Sequence, residues 1–105
     1  MNKVRVTSCR RDGRLIPRNS RGLRGGSVIL RPGETMAWHS TGSREELLIA
    51  LEGRVRVEAQ TSRRSVRSIS LKSGSCVFLP EATRHRVVNR SRAAARYLYI
   101  TAAAT

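Results

Sequence analysis

From Ser27 onward, apolar and polar residues fall into short runs separated by turn residues. Ser27–Arg31 is a β-branched and apolar run that stops at Pro32-Gly33, a strong turn pair. Met36–Thr41 follows and runs to Gly42-Ser43. Glu46–Leu51 is almost wholly apolar, the pattern of a strand covered on both faces. Glu52-Gly53 then turns into Arg54–Glu58, where Arg and Val alternate at the period of a strand. Arg64–Leu71 alternates more weakly, and Lys72-Ser73-Gly74 turns into Cys76–Leu79, which Pro80 ends. His85–Asn89 and Arg96–Thr101 complete the series. Arg92–Arg96 is the one helix-like stretch, and it is too short to sustain a helical period. Short strands with turn signals about every 8–12 residues predict an all-β sandwich or barrel.

Residues 1–26 are different. The stretch Thr7–Gly26 is rich in Gly, Ser, Asn and Pro and has little periodicity, so it reads as a basic, solvated arm that packs on the barrel or on a partner. The division expected is therefore an arm over 1–26 and a β-barrel domain over 27–105. Charge follows the same division. The chain has 21 Lys+Arg against 7 Asp+Glu, a net +14; residues 1–30 hold eight cations and one anion, or +7. Such a balance attracts anions in general. It suggests nucleic acid, but four aromatic residues and no nucleic-acid motif argue against that partner.

At 105 residues the chain is one small domain with a modest core. The longest apolar run, Leu47–Leu51, is far short of the ~20 residues a membrane helix needs. The N-terminus lacks the apolar stretch of a secretory signal, so a cytoplasmic protein is expected. Cys9 and Cys76 are too few for a disulfide framework. Cys76, among apolar strand residues, reads as a buried, inert thiol.

The chemistry is concentrated in two segments that contain both histidines. His39 and Thr41 are two apart and share a strand face. The Gly42-Ser43 turn could bring Glu46 back beside them, and His85 could join if the sheet folds over on itself. Two imidazoles and a carboxylate on one inward face make a two-His-one-carboxylate metal site. The spacing is more specific than the residue types. Gly33, His39, Thr41, Glu46 and Gly53, then Gly74, Pro80, Ala82, His85 and Asn89, closely resemble the two motifs of the cupin superfamily, G-x5-H-x-H-x4-E-x6-G and G-x5-P-x-G-x2-H-x3-N. The agreement in spacing covers Gly33 to Asn89 and selects Glu46 over Glu45.

The resemblance implies an antiparallel jelly-roll barrel (a double-stranded β-helix), which in cupins typically holds a divalent metal on three histidines and one carboxylate. Two positions depart from it. Ala82 replaces a turn glycine and asks that position to avoid positive φ. Thr41 replaces the second histidine, leaving His39, Glu46 and His85 as ligands, with Thr41 orienting a bound water or contacting substrate. The metal would be Zn, Fe, Mn or Ni.

Outward Leu47, Ile49 and Leu51 form an apolar stripe that, with the resemblance, implies a homodimer. Trp38 should point away from His39; Tyr97 and Tyr99 read as core, Asn89 as a turn brace, and Arg84 and Arg86 as facing away from His85. The functional expectation is a small cupin binding a metal and a small, anionic ligand, acting as an oxygenase or isomerase if it turns substrate over. The alternative is a non-catalytic ligand-sensing barrel with a degenerate metal site.

Overall fold

The computed structural model describes residues 3–105; the start of the predicted arm, Met1 and Asn2, lies outside the described residues. The described chain is all β. Its strands are β1 (Gly13–Arg14), β2 (Leu23–Leu30), β3 (Thr35–Ser40), β4 (Arg44–Glu52) and β5 (Arg54–Ser62), followed by β6 (Ser65–Lys72), β7 (Cys76–Leu79), β8 (Arg84–Val88) and β9 (Ala95–Ala103). They form a five-stranded sheet ordered β1-β2-β9-β4-β7 and a four-stranded sheet ordered β3-β8-β5-β6, with every pairing antiparallel. This is a jelly-roll barrel. No helix is long and apolar enough to cross a membrane, and the helix-like Arg92–Arg96 segment leads by a bend into β9.

Strand alternation builds the core. Leu48 and Ala50 of β4, Val55, Val57 and Ala59 of β5, Val87 of β8 and Ala95 and Tyr97 of β9 all face inward and are buried. Arg54, Arg84 and Arg90 remain exposed, so much of the positive charge lies outside. The outer face of β4 is not covered: Leu47 and Ile49 are half-buried and stand opposite Ile100 and Leu98 of β9 and Phe78 and Cys76 of β7. Cys76 is exposed on that face, contrary to the expectation of a buried thiol. Its neighbours in sequence are apolar because they serve opposite faces, and the outer one is open.

The N-terminal segment is better anchored than its composition suggests. Strand β1 pairs with β2, Leu15 N–H donates to the Gly25 carbonyl (3.0 Å), and the Asp12 carboxylate accepts from Ile29 N–H (3.0 Å). Ser27 Oγ and Arg96 Nη1 both donate to the Cys9 carbonyl (2.8 and 2.6 Å). Strand β2 opens at Leu23, four residues before the run that predicts it, because Gly25-Gly26 is strand rather than loop. A Cβ on Gly26 would lie 2.8 Å from the Gly13 carbonyl and 2.9 Å from the Tyr99 hydroxyl. Only a bare backbone lets the arm and β9 approach this closely.

Two turns are tied together at one end of the barrel. Thr41 Oγ1 donates to the Pro80 carbonyl (2.8 Å) and accepts from Thr83 N–H (3.0 Å). Thr41 N–H donates to Thr83 O (3.1 Å), and Ala82 N–H donates to Gly42 O (2.7 Å). The β3–β4 and β7–β8 connections are thereby held side by side. Ala82 takes φ = 55°, correcting the expectation that its alanine keeps it out of the left-handed region. The turn geometry and the bond to Gly42 override the local preference.

Two stability changes are expected. Ala82→Gly removes a left-handed strain of about 1–2 kcal/mol and adds unfolded-state entropy of about 0.4–1 kcal/mol, so chemical denaturation should show a net gain of roughly 0.5–1 kcal/mol. Thr41→Val leaves Pro80 O and Thr83 N–H without their partner and should cost about 2 kcal/mol. Thr41→Ser should recover most of that loss, and equal losses in both variants would contradict the clamp.

Candidate metal centre

His39 and His85 stand directly opposite each other on β3 and β8, so they share a sheet face. A β-bulge sets the phase. The β3–β8 register shifts between Met36 and His39, which lets both side chains line the same cavity although they are three residues apart. Glu46 arrives from the other sheet, on β4, where it is buried. The three donors lie within 4.8 Å of one another, and the two imidazole centroids are 4.3 Å apart. A cation bound at about 2.0–2.2 Å holds two donors no more than about 4.4 Å apart. The set is thus within a few tenths of an ångström of ligating separation.

The hydrogen bonds fix which nitrogens are free. His39 Nδ1 lies 2.8 Å from the Ala37 carbonyl and His85 Nδ1 3.1 Å from the Thr83 carbonyl. A carbonyl only accepts, so each Nδ1 carries the proton and each neutral ring presents its Nε2 lone pair. His85 is fully buried, and its Nε2 has no hydrogen-bond partner. The atom facing it is Glu46 Oε2, at 3.4 Å. Two acceptors facing each other in a buried site require a positive charge between or on them: either a proton on His85 or a bound cation. Burial alone depresses the His85 pKa, but the facing Glu46 carboxylate and the Thr83 carbonyl outweigh it and hold the imidazole above its ordinary value.

The donors open into a cavity of about 520 Å³. Val28, Met36, Leu48, Val87 and Tyr97 are among its apolar lining residues, and Asp12 and Arg14 of the N-terminal segment line it too. Tyr97 and Tyr99 both line it, so they are wall as well as core. Burial pushes the Tyr97 hydroxyl up, well outside the range of a base. Thr41 lies in the turn after β3, which ends at Ser40; it lines a neighbouring cavity together with Glu46, and its hydroxyl is committed to the turn clamp. Arg14 and Asp12 carry no signal in the sequence, since Arg14 belongs to a two-residue strand with no detectable period and Asp12 to the bend before it.

Asn89 is buried and braces its loop, donating to Leu30 O (2.9 Å) and Ala93 O (2.8 Å) and accepting from Ser91 N–H (2.9 Å). Trp38 points to the outer face, where the Arg86 guanidinium lies 5.2 Å from its ring. Arg86 also pairs with Glu58 at 2.7 Å, away from His85.

Comparison with known proteins agrees with this architecture. A solved oxalate oxidase in complex with the substrate analogue glycolate is 19% identical, with a TM-score of 0.73 over 78% of this chain and 42% of that one. The Schizosaccharomyces pombe Cnp3 cupin domain is 15% identical, with a TM-score of 0.75 over 89% of this chain and 60% of that one. The protein TT1209 from Thermus thermophilus is 25% identical, with a TM-score of 0.73 over 88% of this chain and 83% of that one. The chain therefore spans less than two thirds of the first two. No curated protein matches the chain. The family model described as a cupin domain matches residues 26–101, nearly three quarters of the sequence. The chain belongs to the cupin family.

Proposed function

We propose that this protein is a small metal-binding cupin in which His39, Glu46 and His85 hold one divalent cation, Zn, Fe, Mn or Ni, and present it to a small anionic ligand. The supporting observation is the buried, unpartnered His85 Nε2 facing the Glu46 carboxylate at 3.4 Å, with Nδ1 already bonded. Bound there, the cation would supply Lewis-acid or oxygen chemistry of the oxygenase or isomerase kind. The chain's own residues would bind and orient: the apolar Leu48, Val87 and Tyr97 line the cavity together with the charged Asp12 and Arg14. The complex of the similar oxalate oxidase with glycolate makes a small carboxylate a reasonable ligand class.

A second reading, ligand sensing without turnover, is favoured by the cavity wall. Apart from the three donors, its titratable groups are Asp12, Arg14 and two tyrosines. Asp12 is tied to Ile29 N–H and Tyr97 is held protonated by burial, so no side chain stands ready as a general base.

The metal reading is tested on untagged protein by elemental analysis and by titration with Zn. One equivalent is expected, and His39→Ala and His85→Ala should each abolish it; a wild type that takes up none overturns the reading. The pH dependence has a defined sign. In metal-free protein the raised His85 pKa contributes stability that is full below the unfolded value of about 6.5 and is lost as pH rises through the folded value. Its melting temperature should fall as pH rises above about 6.5, and His85→Gln should flatten that fall. Zn requires unprotonated imidazoles, so its stabilising shift should grow over the same range.

We further propose that the chain is a cytoplasmic homodimer, with Leu47, Ile49, Leu98, Ile100 and Phe78 covered by a second copy. These residues form a continuous apolar face across β7, β4 and β9, which a lone barrel would leave wet. Sedimentation should give a dimer for the wild type and a monomer for Ile49→Glu. A monomeric wild type at tens of micromolar would remove the dimer.

A further inference from the structure

Beside the candidate metal cavity lies a second cavity of about 670 Å³. The two share Arg14, Glu46, Tyr99 and Thr101 as lining residues. The second is built differently. Four arginines line it, the exposed Arg14, Arg18 and Arg24 and the half-buried Arg44, against the single acidic residue Glu46, so four positive charges less one leave +3. That carboxylate faces His85 Nε2 at 3.4 Å.

The four cations come from separate parts of the chain: β1, the loop after it, β2 and the start of β4. Arg44 is fixed, donating from Nε to Thr101 Oγ1 (2.8 Å) and from Nη2 to the Gly22 and Thr101 carbonyls (2.8 and 3.0 Å). Arg14, Arg18 and Arg24 make no side-chain hydrogen bond or ion pair among the described residues. Charges placed only for solubility diverge into water. Here four of them border one concavity, where an anion would relieve their mutual repulsion. The geometry points to an oxyanion site in this second cavity, where Arg14 and Arg24 clamp the phosphate or carboxylate tail of a ligand whose other end reaches the histidines.

The direction of the ligand rests on the metal reading given above; the anion site does not. Arg14 stands at the junction of both cavities and discriminates for ligands charged at both ends. A guanidinium offers paired donors to either oxyanion, so phosphate and carboxylate share the recognition chemistry.

The test is calorimetric titration of the metal-free full chain with inorganic phosphate and, separately, with malonate, in about 150 mM salt to screen diffuse attraction. Saturable binding at one site is expected for at least one probe. Tighter phosphate marks a phosphorylated ligand and tighter malonate a polycarboxylate. Arg14→Gln and Arg24→Gln should each weaken binding about tenfold. Arg63→Gln, which removes the same charge at the β5–β6 hairpin, should leave it unchanged. The His39→Ala, His85→Ala double variant should lose metal uptake and keep the anion, so the two readings fail separately. No saturable binding, unchanged affinity in Arg14→Gln, or an equal loss in Arg63→Gln overturns the site.

Discussion

A buried carboxylate facing a buried imidazole nitrogen organises the working end of this molecule. Glu46 and His85 belong to different sheets, and burying both is costly unless a positive charge lies on or between them. That cost would be avoided if either side chain turned outward. It is not avoided, because each strand is locked in phase by its neighbours. Glu46 shares its inward face with Leu48 and Ala50, and His85 shares its own with Val87. A one-residue slip that freed either polar group would expose core residues beside it. The hydrophobic alternation that builds the barrel thus also holds the donors together.

The rest of the cavity follows from that arrangement. Aliphatic side chains fill one side of the barrel interior, and the polar set occupies the other. The turn clamp at Thr41 and Ala82 fixes one edge of the polar side, while the pairing of β1 with β2 fixes another. Both depend on close backbone approach, and both place charged or polar residues near the donors without adding to them. The arm contributes few buried apolar side chains. It is held by hydrogen bonds from Ser27, Ile29 and Arg96 instead, and its Asp12, Gly13 and Arg14 line the cavity.

Much of this was legible from residue order. The strands from β3 to β9 follow their alternation and turn residues, and the spacing from Gly33 to Asn89 singles out His39, Glu46 and His85, whose donor atoms lie within 4.8 Å of one another. What escaped has physical reasons. Glycine carries no side chain to show a period, so Gly25 and Gly26 read as loop although they are strand. The bulge before His39 is a backbone event with no residue signature, and the end of β3 at Ser40 leaves Thr41 in the turn. Ala82 adopts a positive φ because a tertiary hydrogen bond holds it there. Cys76 looked buried because strand neighbours report on both faces at once, and only pairing shows which face is open.

Thr41 is the residue at which the family pattern and this chain part, and its use here bears on the charge of the site. A third imidazole would add a neutral donor and occupy one more coordination position. A hydroxyl spent on Pro80 and Thr83 adds none, so a cation on His39, Glu46 and His85 keeps a larger share of its positions for ligand. The first cavity holds two carboxylates, Asp12 and Glu46, and one guanidinium, Arg14. A divalent cation would turn that balance of −1 into +1, and the adjoining arginines would raise the positive potential further. With a cation bound, the departure at Thr41 and the basic arm would therefore act in the same direction, toward a site that is open and positively charged. An anion satisfies both conditions at once; a neutral ligand would fill the open positions and leave the charge uncompensated.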